Sequence, residues 1–178
     1  PMQIRNCLFM SLMVVWVASA SAQTLHLASP GPRVSLLELY TSEGCSSCPP
    51  ADRWLSTLRD DPRLWREVIP VAFHVDYWDY IGWADPFAQP DNTKRQRAYS
   101  ASLKNRTIYT PQMVFQGVFD TPGSRDGQID AGYSAALEVP RIPVGVELGS
   151  NGVLDVHIGD GVAGDADILL ITYMRQAT

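Results

Sequence analysis

The sequence predicts an α/β domain in which a mixed sheet is flanked by helices, with a helical and aromatic loop insertion and a small C-terminal antiparallel β appendage. Three observations predict it. Strand-length and helix-length runs alternate through the first two-thirds of the chain. A C-x-x-C, Cys45-Ser46-Ser47-Cys48, stands between the first such strand and the first such helix. A Thr110-Pro111 pair stands immediately before a later strand that leads into a hairpin.

The elements follow in order. Val34 to Tyr40 is a short apolar run entered from Ser29-Pro30-Gly31-Pro32, which reads as a strand after a breaker. Thr41 to Gly44 is a turn. Ala51, Trp54, Leu55 and Leu58 recur at helical spacing and mark one face of a helix that ends near Asp60-Asp61-Pro62. Pro49-Pro50 is expected to push Cys48 out of helical dihedrals, leaving the cysteines on an irregular turn ahead of a helix that begins near Pro50.

Val68 to Val75 is a second strand. Tyr77 to Pro90 is a loop too long to be a plain connection. Asp91 to Asn105 reads as a polar helix with Ala98, Tyr99 and Leu103 inward. Gln112 to Phe115 and Val118 to Asp120 are short strands around Gln116-Gly117, and Ile129, Tyr133, Ala136 and Leu137 give a further helical face. The strand–helix–strand unit must be parallel and right-handed, and the hairpin adds antiparallel strands. After Pro140 the pattern alternates through Val144 to Leu148, turns at Asn151-Gly152, alternates again through Leu154 to Ile158, and ends in a strand at Ile168 to Tyr173.

The first 22 residues read as an export signal. Arg5 gives a basic n-region, Leu8 to Ala18 an apolar core, and Ala20-Ser21-Ala22 a cleavage box before Gln23. The apolar run falls short of the roughly 20 residues of a membrane span, so no stable span is expected after cleavage. The predicted divisions are a signal peptide at 1–22, a main domain at 23–140 and an appendage at 141–178, with a periplasmic or secreted location. Loss of Arg5 takes the formal net charge from −5 to −6, and Lys94-Arg95-Gln96-Arg97 is the one basic cluster. A nucleic-acid partner is therefore not expected.

Cleavage would also remove Cys7 and leave Cys45 and Cys48 alone. A bridge across two residues removes little chain entropy, so this pair is poorly suited to stapling and well suited to chemistry. A C-x-x-C after a strand and before an amphipathic helix is a thioredoxin-like redox signature. Two intervening residues bring the sulfurs within bonding reach, and a helix start offers unpaired N–H groups that favour a thiolate. Cys45 is assigned as the attacking thiol, more exposed and more acidic, and Cys48 as the resolving thiol. Thr110 and Pro111 are assigned to substrate binding, because a thioredoxin-like fold implies a cis Thr110–Pro111 bond facing the dithiol. No cofactor and no metal are called for.

Several segments resemble a known family. These are Glu38-Leu-Tyr-Thr-Ser-Glu-Gly-Cys-Ser-Ser-Cys-Pro-Pro-Ala-Asp52, the run from Phe73 through His74, Asp76, Trp78 and Trp83 to Ala88, Arg95-Gln-Arg-Ala-Tyr99, and Tyr109-Thr-Pro-Gln-Met-Val114. Over about residues 34 to 174 the chain resembles the bacterial exported family known as domain of unknown function 1223. The resemblance implies a thioredoxin-like fold and a signal-bearing precursor, and little about substrate. Two features depart from it. The family's β structure past Ile168 to Tyr173, with its Gly-Glu-Asn segment, is absent, so the appendage is expected to be incomplete. Phe115-Gln116 replaces the usual Val-Asn before Gly117.

Glu38, His74, Asp76 and Trp78 are supporting candidates, and Asp52 is weighed beside them. Glu38 is either a buried proton relay beside the dithiol or a satisfied edge carboxylate. His74 and Asp76 close the second strand toward the dithiol's end of the sheet, and a strand histidine is either a hydrogen-bonded packing residue or a ligand or base. Trp78 belongs to five aromatics, with Tyr77, Tyr80, Trp83 and Phe87, that form either a self-packed lid or an apolar rim gripping extended polypeptide. Asp52 either faces the site or sits in the helix's first turn. The expected function is thiol–disulfide exchange on protein or small-molecule disulfides. The alternatives are a soft-metal (copper) site built from Cys45, Cys48 and His74, or a non-catalytic binding module.

Overall fold

Ser35–Thr41 forms the central strand β2, and its residues are buried on both faces, as the uninterrupted apolar run requires. The computed structural model describes residues 25–28, 34–123, 127–140 and 142–160, with side chains from residue 34 onward. The expected signal peptide and the strand at Ile168 to Tyr173 lie outside these residues.

β2 pairs in parallel with β3 (Val68–His74) and antiparallel with β4 (Gln112–Phe115). β4 turns into β5 (Phe119–Pro122), giving a four-stranded mixed sheet in the order β3-β2-β4-β5. The connecting residues Gln116 and Gly117 both have positive φ, +50° and +73°. Gln116 accepts that cost in exchange for two bonds to Leu36: its N–H donates to the Leu36 carbonyl and its Oε1 accepts from the Leu36 N–H, each at 2.8 Å. Helices cover both faces. α1 (Pro49–Thr57, continued as a 3-10 turn over Leu58–Asp60) and α3 (Gln128–Glu138) bury Ala51, Leu58, Ile129 and Ala136 against Leu37, Leu39, Met113 and Phe115. On the other face Tyr40, Phe73, Val75 and Val114 form a second core, onto which Tyr99 and Leu103 pack from α2 (Pro90–Ser102) and the residue after it. This mixed sheet with helices on both faces and a separate antiparallel sheet is consistent with the thioredoxin-like α/β fold expected from the sequence.

Two inward assignments are corrected. Ala98 and Leu137 are exposed. The buried side of α2 carries Thr93 and Gln96 instead, because that side meets polar groups of the sheet and loop and not only hydrocarbon. Leu137 turns out because Ile129, Gly132 and Ala136 already form α3's buried side.

The second sheet is three-stranded, in the order β1-β6-β7, from β1 (Leu25–Ala28), β6 (Val144–Leu148) and β7 (Leu154–Ile158). The Asn151-Gly152 turn joins β6 to β7 as expected, with Gly152 at φ +77°. β1 comes from before the main domain and pairs antiparallel with β6. Four residues next to a breaker carried no pattern from which this pairing could be read.

Candidate functional site

The end of β2 delivers the chain into a tight turn. The Cys45 N–H donates to the Ser42 carbonyl at 3.1 Å and the Gly44 N–H to Ser42 Oγ at 3.1 Å. Cys45 and Cys48 then form a disulfide with their Cα atoms 5.4 Å apart. Cys48 is helical (φ −76°, ψ −34°), contrary to the expectation from Pro49. Its carbonyl accepts from both the Ala51 and Asp52 N–H groups, at 2.9 and 3.1 Å, and these bonds outweigh the steric bias against helical dihedrals before proline. Pro49 and Pro50 fill the first helical positions, where a missing N–H is tolerated.

The Thr110–Pro111 bond is cis. The Thr110 hydroxyl donates to Cys45 Sγ at 3.3 Å, and Ser47 Oγ lies 3.5 Å from Cys45 Sγ and 3.4 Å from the Thr110 carbonyl. Gly123 secures this approach from below. Its N–H donates to the Pro111 carbonyl at 3.1 Å, and a Cβ there would stand 2.7 Å from Ala51 Cβ and 3.2 Å from Pro111 Cβ. The sequence therefore named both halves of this juxtaposition.

The aromatic segment divides. Tyr77 and Trp78 pack on the second core, while Tyr80 and Trp83 are 81% and 60% exposed. The Trp78 indole N–H donates to Thr110 Oγ1 at 2.8 Å. A side chain at Gly44 would meet Trp78 Cβ at 3.1 Å and Ile81 Cδ1 at 3.2 Å, and the Trp83 indole donates to Glu43 at 2.8 Å. The segment thus lies over the turn that leads into the dithiol. With it in place, Cys45 is 2% exposed and Cys48 0%. Both cysteines are thus buried, Cys45 slightly less than Cys48, and Thr110 and the aromatic loop lie over the turn.

His74 closes β3 opposite Thr41, and its Nδ1 lies 2.6 Å from the Asp85 carboxylate. Asp85 also accepts from the Glu43 and Phe87 N–H groups at 2.8 and 2.9 Å. Burial pushes Asp85 upward, but the Glu43 N–H, the His74 ring and the Phe87 N–H together outweigh it and hold its carboxyl below the usual range. Asp52, whose Oδ1 accepts from the Thr41 hydroxyl at 2.7 Å, is instead pushed up by burial, despite that bond and the nearby His74 and Arg53. Asp52 thus joins the end of β2 to α1, inside the first turn but facing the sheet.

The two aspartates carry opposite pH signatures. Asp85 contributes stability above the ordinary aspartate range and loses it as pH falls through its lowered value. Asp52, with its raised value, favours the fold while protonated and loses that contribution as pH rises. Asp85→Asn should lower the unfolding midpoint at neutral pH, and Asp52→Asn should raise it. Both differences should shrink toward pH 3 in thermal denaturation runs. Differences that persist undiminished at low pH would contradict these assignments.

Glu38 is wholly buried but is not beside the dithiol. It projects from the face of β2 opposite α1, where it receives Arg95 at 2.8 and 2.9 Å, Tyr40 at 2.7 Å and Tyr99 at 2.7 Å. It is a satisfied carboxylate on the central strand, not on an edge, and the relay reading is withdrawn. Asp76 accepts from the Thr93 hydroxyl at 2.5 Å and ties the end of β3 to α2. The sequence reading missed Arg95, Tyr99, Asp85 and Gln96 as site-supporting residues. The spacing of Arg95 and Tyr99, one helical turn apart on the side facing Glu38, was the available signal. Gln96 donates to the Tyr109 carbonyl at 2.7 Å and to Gln112 at 2.9 Å, fixing the approach to Thr110.

Among the described residues no three His, Cys, Asp or Glu side chains converge as a metal-holding group, so the set Cys45, Cys48 and His74 is not assembled. No helix among the described residues is long and apolar enough to cross a membrane.

No curated protein matches the chain. A crystal structure of a protein from Agrobacterium tumefaciens, from a structural genomics consortium, is similar at 37% identity over 56% of this chain, with a TM-score of 0.49. The match spans 42% of that protein's length. A family model described as a protein of unknown function, DUF1223, matches residues 36–178. The chain that presents this dithiol beneath Thr110 and Pro111 belongs to the DUF1223 family.

Proposed function

We propose that the protein is an exported thiol–disulfide oxidoreductase, acting from the periplasm or outside the cell. The observation that carries this reading is the Cys45–Cys48 disulfide held under the cis Thr110–Pro111 peptide, with a hydroxyl donor on Cys45 Sγ. In the reduced protein the Cys45 thiolate attacks one sulfur of a substrate disulfide, forms a Cys45–substrate bond and expels the other sulfur as a thiolate. Cys48 then loses its proton and attacks Cys45 Sγ, which releases the second substrate thiolate and closes Cys45–Cys48. Two electrons pass from the dithiol to the substrate, and the reverse sequence oxidises a substrate dithiol. Tyr80 and Trp83 lie exposed on the covering loop, where an extended polypeptide carrying the disulfide would meet them.

Burial of both cysteines favours a second reading, a binding module whose disulfide does not turn over. Equilibration with glutathione buffers separates the two. Exchange predicts reversible titration with a midpoint between about −270 and −120 mV, the span of working oxidoreductases. A disulfide that stays closed below about −300 mV belongs to the static module.

A further inference from the structure

An indole N–H can only donate a hydrogen bond. The Trp78 Nε1–H lies 2.8 Å from Thr110 Oγ1, so that oxygen accepts there. The hydroxyl's single proton is left to point elsewhere, and Cys45 Sγ, 3.3 Å away, is the acceptor within hydrogen-bond geometry, with the Tyr77 side chain also beside Thr110. We propose that Trp78 is a positioning residue that holds the Thr110 hydroxyl as a donor to Cys45 Sγ and thereby favours the Cys45 thiolate in the reduced protein. Its purpose rests on the exchange reading above, although its measurement does not.

The start of α1 leaves this work to other groups. Pro49 and Pro50 have no N–H to offer, and the Ala51 and Asp52 N–H groups are spent on the Cys48 carbonyl. Two hydroxyls reach Cys45 Sγ. That of Ser47 stands between the sulfur and the Thr110 carbonyl, at 3.5 and 3.4 Å, with one proton for two acceptors. That of Thr110 has a lone pair already engaged by the indole, which turns its proton away from Trp78 and strengthens it as a donor to the sulfur 3.3 Å away. A donor aimed at a thiolate makes a stronger bond than the same donor aimed at a neutral sulfur, so the arrangement lowers the proton affinity of Cys45. Trp78, which holds that donor, sits on the segment that lies over the turn into the dithiol, so the covering loop also sets the thiol's acidity.

The test is the pH dependence of iodoacetamide alkylation at Cys45 in the reduced full chain, read peptide by peptide. Trp78→Phe keeps a ring and removes the N–H. It should raise the Cys45 midpoint by about one unit, which is about tenfold less thiolate at a fixed pH below it. Thr110→Val should raise it at least as far, Thr110→Ser should leave it near the native value, and Trp78→Phe should add nothing on top of Thr110→Val. A native midpoint in Trp78→Phe, or an equal shift in both backgrounds, overturns the proposal. In the unaltered chain the Trp78 indole N–H proton resonance should titrate with the Cys45 midpoint, and a flat resonance overturns it without any substitution. No substrate is present in these measurements. A shifted midpoint in a protein that exchanges with nothing would sink the exchange reading alone, and an unshifted one in an active protein would sink this inference alone.

Discussion

Glu38→Ala should destabilise the protein by about 3–5 kcal/mol, the cost of breaking a buried ion pair from one side. Glu38 is the hub of the second core: both of its oxygens are engaged, by Arg95 through two nitrogens and by the hydroxyls of Tyr40 and Tyr99. Deleting the carboxylate leaves the Arg95 guanidinium without its counter-charge and two hydroxyls without their acceptor, and Tyr40 is wholly buried. Arg95 retains some access to water at its 26% exposed side chain, which keeps the expected loss from running higher. The carboxylate also holds the proton affinity of Arg95 up, while burial and the adjacent charge hold both tyrosines protonated well above their usual range. Glu38→Gln, which keeps an acceptor oxygen, should lose less. Denaturant midpoints measure both. Because Glu38 points away from α1, the folded fraction of each variant should keep the native alkylation rate at Cys45. A loss below about 1 kcal/mol, or a change in Cys45 reactivity without loss of stability, would contradict this placement.

Much of this architecture was legible in the residues. The apolar runs at Val34 to Tyr40 and Val68 to Val75 became β2 and β3, and Gln116-Gly117 became a turn between β4 and β5. The C-x-x-C and Thr110-Pro111 pair was legible because both halves are local signals whose meeting follows from strand order: β4 pairs beside β2, so the residues before β4 arrive at the end of β2. What was not legible depends on partners distant in sequence. Glu38 could be read as a relay or as a satisfied carboxylate, but its partners could not be named, since Arg95 and Tyr99 lie 57 and 61 residues away. Ala98 looked inward by composition, whereas the inward side of α2 is polar because it meets a carboxylate, a carbonyl and an amide. The burial of both cysteines was not legible because a loop more than thirty residues later lies over their turn, through contacts that no local spacing encodes.

The central claim is that Cys45 attacks and Cys48 resolves, and Cys48→Ala separates the two steps. With the resolving thiol gone, attack by Cys45 on a disulfide can form the mixed bond but cannot release it. The reduced variant should therefore accumulate one covalent adduct when incubated with glutathione disulfide, and peptide mass analysis should place it on Cys45. The native dithiol under the same conditions should pass through that adduct and finish as the closed Cys45–Cys48 disulfide. Cys45→Ala should form the adduct far more slowly, because the Thr110 and Ser47 hydroxyls that favour a thiolate reach the sulfur of Cys45. The decisive measurement is the adduct yield on Cys48→Ala over the time in which the native protein closes its disulfide. The account predicts near-stoichiometric glutathione on Cys45. A variant that remains an unmodified thiol over that time, or an adduct that forms preferentially on Cys48 in Cys45→Ala, would contradict it.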